Sequence, residues 1–209
     1  MTVSILGAGN VGLALARALL RAGQPVTLGV PEPARHRDAV AALGPQATLV
    51  DADAAIDSGD IVILAVPYEA ALSIAQGRAD WQGKVLVDAT NPIAPGLAGL
   101  VVGTTTSGAE QVAARARGAR VVKAFNTTGA ENMADSRYAA GLPMMPVAGD
   151  DAAARQQVMA LAARIGFDPV DMGALSTARY LEPLAMVWIH LAFKQGQGRA
   201  FAFTRLVRG

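Results

Sequence analysis

Gly7, Gly9 and Gly12 stand at the spacing with which a chain can hold a pyrophosphate, inside the opening segment VSILGAGNVG. Gly7 permits a tight strand-to-helix turn, Gly9 lets backbone approach the phosphates, and Gly12 lets the helix pack close to the strand. The phosphates would then rest on unpaired N–H groups at the positive end of the helix. A strand-like run precedes the glycines, and the helical LALARALLRAG follows with no proline before Pro25. The competing reading is a tight turn in a nucleotide-free α/β domain.

Three further segments place small residues beside proline or asparagine where an apolar run ends: AVPYEA, DATNP and AFNTTGAEN. Pro67 and Pro92 fit either close cofactor approach or simple strand termination. Asn91 and Asn126 are more suggestive, because an amide there can brace loop backbone or meet a cofactor edge. The exit of the second strand reads LGVPEPARHR. Glu32, 20 residues after Gly12, suits the ribose hydroxyls of NAD, whereas Arg35, His36 and Arg37 suit a 2′-phosphate.

Catalytic side-chain sets are scarce. Cysteine is absent, which removes thiolate nucleophiles and cysteine metal sites, and the sequence has no HExxH and no GxSxG. No metal site is expected. Of the two histidines, His36 belongs to the second-strand exit, and His190, in MVWIHLAF, reads as a hydrogen-bonded helix residue near the core. Hydride transfer fits this inventory, since the cofactor carries the chemistry and the protein orients it. No catalytic residue can be assigned.

The elements that must position these loops alternate from the start of the chain. Strands are expected at 25–30, 47–50, 60–67, 84–92, 119–126 and 143–150, with helices over 34–43, from Asp51 to 56, from Tyr68, near Ala109 and from Asp151 to 164. FDPVDMG closes the alternation. A terminal helix follows over 176–193, with Pro183 near its first turns or at a kink. The pattern predicts an α/β fold of Rossmann type, doubly wound around a mainly parallel sheet, with a C-terminal helical extension. Residues 1–209 form one dinucleotide-binding domain, and 174–209 form the extension within it.

With 52% hydrophobic and 17% charged residues, the surface is sparingly charged, and a homodimer is expected. The net charge of +1 comes without a basic block, so neither nucleic acid nor a membrane is an expected partner. A strand begins within three residues of the start, so no signal peptide is expected and the cytoplasm is the default location.

GAGNVG, DATNP, VKAFNTTGAENM, VAGDD and LEPLAMVWIHLAF together resemble the NADPH-dependent deazaflavin-coenzyme reductases and their bacterial relatives. The AFNT segment is also similar to the reductase domain of six-transmembrane metalloreductases. The resemblance implies that Gly7, Gly9, Asn10, Val11 and Gly12 hold the pyrophosphate. It places the 2′-phosphate of NADP at Val30, Pro31 and Arg35, and the nicotinamide and acceptor pocket at Asn126, Thr127 and Thr128. Val66 and Pro67, with Thr90, Asn91 and Pro92, would flank the cofactor.

Val30 and Pro31 replace the family's usual serine or arginine, so Arg35 or Arg37 would have to hold the phosphate, and NAD remains an alternative. The archaeal members carry histidine in place of Asn126. The implied activity is hydride transfer between nicotinamide and a small flat acceptor, a deazaflavin or a flavin. Two alternatives stand beside it. One is an imine or carbonyl reductase with Tyr68, Tyr180 or Lys123 as proton donor; the other is a non-catalytic NAD(P)-sensing module.

Overall fold

A computed structural model describes residues 1–208. Strands and helices alternate as β1 (Val3–Leu6), α1 (Asn10–Arg21), β2 (Val26–Gly29), α2 (Arg37–Ala41), β3 (Ala47–Val50), α3 (Ala52–Ser58), β4 (Ile61–Leu64) and α4 (Tyr68–Gln76). The second half runs β5 (Val85–Asp88), α5 (Gly108–Arg115), β6 (Arg120–Lys123), α6 (Ala130–Ala134), β7 (Met144–Gly149), α7 (Ala152–Arg164), β8 (Asp168–Asp171) and α8 (Ala178–Ile189). The eight strands form one sheet in the order β3-β2-β1-β4-β5-β6-β7-β8.

The apolar strands are explained by cover on both faces. Ile61 and Ile63 join a core cluster with Leu15 and Leu19 of α1 and Val158 and Leu161 of α7. Val62 and Leu64 point the other way, toward Ile56 of α3, Leu72 of α4 and Val112 of α5. Side chains that alternate between two buried faces leave no polar stripe. Asp51 and Asp151 start α3 and α7 by accepting from Ala54 N and Ala154 N at 2.8 and 2.7 Å.

Three features refine or correct the expectation, the first within a sheet that is mainly parallel as expected. β7 runs antiparallel to β6, although it pairs in parallel with β8. The helix expected at 34–43 is a 3₁₀ turn, Pro33–His36, followed by the short α2, with the helical path interrupted at His36, which has φ −112° and ψ 3°. The terminal helix keeps Pro183 in its interior, and it ends in a π-helical turn, His190–Lys194.

The segment after that turn packs against the body of the fold. Phe201 stacks on Trp188 at 5.3 Å, and the Phe203 carbonyl accepts from Met144 N at 2.8 Å. Arg199 pairs with Glu131 at 3.0 Å and Arg205 with Asp168 at 3.3 Å. Among the described residues, no helix is long and apolar enough to cross a membrane.

Candidate functional site

The carboxyl ends of β1, β2, β4, β5 and β6 lie along one edge of the sheet. The strand order reverses direction beside β1, which is where open α/β sheets hold ligands. Gly7 has φ +106°, and a Cβ there would collide with the Ala65 carbonyl. A Cβ on Gly12 would collide with the Gly7 carbonyl. Over Gly9 the situation is the reverse: no heavy atom lies within 4 Å of its Cβ position. Gly9 also precedes α1 without a side-chain cap, and the first turn carries no acid. The helix therefore presents unpaired N–H groups to open space, with the exposed Asn10 and half-buried Val11 at its rim.

At the other end of this edge, Asn91 and Asn126 lock the loops after β5 and β6 together. Asn91 Nδ2 donates to the Asn126 carbonyl at 2.9 Å, and Asn126 Nδ2 donates to Asn91 Oδ1 at 2.9 Å and to the Leu181 carbonyl at 3.2 Å. Asn126 Oδ1 is buried with no partner. The turn between Lys123 and Asn126 contains Phe125 at φ +60°, a left-handed conformation that costs a bulky residue energy unless its surroundings fix it.

Beneath these loops lies a buried charged cluster that the sequence does not announce. Asp88 and Lys123 are register partners on β5 and β6, and Lys123 Nζ meets Asp88 Oδ2 and Glu182 Oε1 at 2.9 Å each. Its third hydrogen bond, 2.7 Å, goes to the Thr90 carbonyl. All three side chains are essentially inaccessible. Burial opposes the Lys123 charge, and the two adjacent carboxylates more than reverse that, holding its pKa above the ordinary lysine value. Glu182 sits in LEPLAM and reads as a surface charge until tertiary contacts reveal its partners. Asn132, within GAENM, is also missed: its Nδ2 donates to Thr128 Oγ1 at 3.0 Å and to the Phe201 carbonyl at 2.7 Å.

Residues 2–92 match the family model for coenzyme F420-dependent NADP oxidoreductases. The F420-dependent NADP reductase of Methanothermobacter thermautotrophicus is 31% identical, over 91% of this chain and 89% of its own. The chain belongs to this family. A solved structure of a putative F420-dependent NADP reductase from Arthrobacter sp. FB24 is 30% identical, covers 98% of this chain and 100% of its own, and superposes with a TM-score of 0.84. Rat metalloreductase STEAP3 is 31% identical over 88% of this chain, which spans only 36% of the length of that relative. The chain has this family's Rossmann-like fold.

The remaining family positions divide by burial. Val30 is 2% exposed within the core, so its side chain is turned away from the edge, while Pro31 and Arg35 are exposed. Arg35 Nε meets Glu32 Oε2 at 2.8 Å. Val66 is half-buried and Pro67 exposed, directly before α4. The Thr90 hydroxyl donates to Asp88 Oδ1 at 2.7 Å, so this residue offers its neighbours little beyond backbone. Pro92 and Thr127 are buried, and Thr128 is half-buried with its hydroxyl accepting from Asn132.

The three proton-donor candidates fare poorly. Lys123 has every donor engaged, and Tyr180 is 71% exposed on α8. Tyr68 donates to Gln111 Oε1 at 2.8 Å, and burial, helped by Glu182, pushes its pKa up to about 12. His190 is exposed, with Nε2 3.0 Å from Gln195 Nε2, where a near-core position was expected. Trp188, by contrast, is buried within its own chain, stacked on Phe201 and closed over Gly129. Among the described residues, no group of three or more His, Cys, Asp or Glu is arranged to hold a metal ion.

Proposed function

We propose that the protein binds NADP(H) along the carboxyl edge of the sheet and passes hydride between the nicotinamide and a flat acceptor of the deazaflavin or flavin class. The observation that carries this reading is the start of α1: uncapped, free of acid, and open above Gly9 while closed beneath Gly7 and Gly12. That combination suits a pyrophosphate. In this reading Asn10 and Val11 border the phosphates, and Pro31 and Arg35 border the 2′-phosphate. The loops at Val66-Pro67, Thr90-Asn91-Pro92 and Asn126-Thr127-Thr128 enclose the nicotinamide end.

The residues present fit the cofactor. Asn126 Oδ1 is an unused acceptor of the kind a carboxamide N–H can meet, and its Nδ2 partners set which way the amide faces. Bound NADPH supplies the hydride, so the chain has to orient donor and acceptor and exclude water. The relatives named F420-dependent NADP reductases support a deazaflavin as acceptor. Imine or carbonyl reduction is less well supported, because the Lys123 and Tyr68 donors are already engaged by acceptors within the chain.

Stopped-flow oxidation of NADPH and NADH against deazaflavin, flavin and imine acceptors tests the proposal. Hydride transfer to deazaflavin or flavin, faster from NADPH, is the expected result. Tight cofactor binding without turnover on any acceptor would leave the sensing module as the better reading.

A further inference from the structure

The buried cluster of Asp88, Lys123 and Glu182 is used by no step of hydride transfer, yet each member lies next to a residue that shapes the site. Asp88 precedes Thr90 and Asn91, and its Oδ1 accepts from Thr90 N at 2.9 Å and from the Thr90 hydroxyl at 2.7 Å. Lys123 opens the strained Phe125 turn that ends at Asn126, and it also binds the Thr90 carbonyl. Glu182 follows Leu181, whose carbonyl accepts from Asn126 Nδ2. Its own carboxylate accepts from Gly108 N at 2.9 Å and Ala109 N at 3.1 Å, which fastens α8 to the start of α5. A Cβ on Gly108 would stand 3.2 Å from Glu182 Oε1, so the glycine leaves room for that approach.

We propose that Asp88, Lys123 and Glu182 are positioning residues, which set the Asn91–Asn126 loop pair and thereby the nicotinamide end of the site. This rests on the cofactor reading above. Burying three charges is a poor device for stability alone, since apolar residues of similar volume often serve as well or better. Apolar residues cannot bind the Thr90 carbonyl and hydroxyl or the Gly108 and Ala109 amides. Two carboxylates around one ammonium satisfy all of these at once, and they do so from β5, β6 and α8. The left-handed Phe125 turn needs such fixed ends, because a strained backbone persists only where its surroundings over-determine it.

The test compares two ligands by calorimetry: NADP, and 2′-phospho-ADP-ribose, which lacks the nicotinamide. In Glu182→Gln, and in the charge-free triple variant Asp88→Asn, Lys123→Met and Glu182→Gln, affinity for NADP should fall about tenfold, the loss expected of a charged hydrogen-bond partner. Affinity for the fragment should stay within about twofold, because the Gly9 end is untouched. Equal weakening of both ligands, or of neither in a cooperatively melting variant, overturns the role.

A second measurement needs no variant. Amide hydrogen exchange at Thr90, whose N–H donates to Asp88 Oδ1, should be protected in the wild-type protein well beyond that of exposed loops, and exchange at open-loop rates overturns the role as well. Failure of the wild type to bind either ligand would overturn the cofactor reading itself, and wild-type binding of NADP no tighter than of the fragment would overturn this role alone.

Discussion

Arg35 and Glu32 form an ion pair at 2.8 Å across one turn at the exit of β2, where the proposed cofactor would place its adenosine ribose. The carboxylate that would suit NAD is thus occupied with the guanidinium that would suit NADP. Both side chains are more than half exposed, so the pair is weak and a 2′-phosphate can compete for Arg35.

Glu32 is therefore expected to act as an internal rival of the phosphate. Glu32→Gln should tighten NADPH by about two- to fivefold, in keeping with the worth of an exposed pair, and should weaken NADH. Replacing Arg35 and Arg37 by alanine should weaken NADPH more than NADH. Calorimetry with both cofactors decides, and equal losses in the arginine variant would remove the phosphate role.

The two glycines that shape the α1 turn should separate binding from folding. Gly9→Ala places its Cβ in open space, so the cost to stability should stay below about 1 kcal/mol, the penalty of alanine at a helix start. Cofactor affinity should nevertheless fall by at least about tenfold, because the methyl group occupies the phosphate approach. Gly12→Ala meets the Gly7 carbonyl and should lose stability as well as binding. Thermal melts beside binding titrations distinguish the two, and unchanged affinity in Gly9→Ala would move the pyrophosphate elsewhere.

Acid should weaken the contact between α5 and α8. Arg179 grips Glu110 with two hydrogen bonds, at 2.9 and 2.6 Å, and this holds the Glu110 carboxyl below its ordinary range against the opposing effect of burial. A lowered carboxyl pKa adds stability above the unfolded value, about 4.3, and that contribution is lost as pH falls through the lowered folded value. Between about pH 5 and 3 the wild-type melting temperature should therefore fall more steeply than that of Arg179→Met. Parallel slopes would show that the pair contributes nothing measurable.

The alternating apolar segments were legible because the central strands bury both faces, and the Gly7–Gly12 turn was legible because its steric demands leave only glycine. The buried cluster was not. Lys123 and Asp88 stand at strand ends where charges ordinarily meet water, and Glu182 interrupts an apolar helix just as an exposed residue would. Only the register of β5 with β6 and the return of α8 over α5 bring them together. His190 was misplaced for a related reason: MVWIHLAF is apolar nearly all round and hides its phase. Burial at Leu181, Ala185, Trp188 and Ala192 leaves His190 off the buried stripe. The antiparallel β7 was equally hidden, because strand–helix–strand spacing reads the same whether the second strand returns parallel or not.

Tyr68 gives the sharpest test between hydride transfer without a protein acid and reduction of an imine or carbonyl. Its hydroxyl is bound to Gln111, and with its pKa pushed up to about 12 it holds its proton throughout the working range. The kcat/KM profile should therefore show no limb assignable to Tyr68 below about pH 10, and Tyr68→Phe should retain kcat within about threefold. The same variant should lose about 1 kcal/mol of stability, because the Gln111 acceptor is left part-buried without its donor. A fall in kcat of a hundredfold or more, on the scale of a lost general acid, would make Tyr68 the proton source and favour the carbonyl or imine reading.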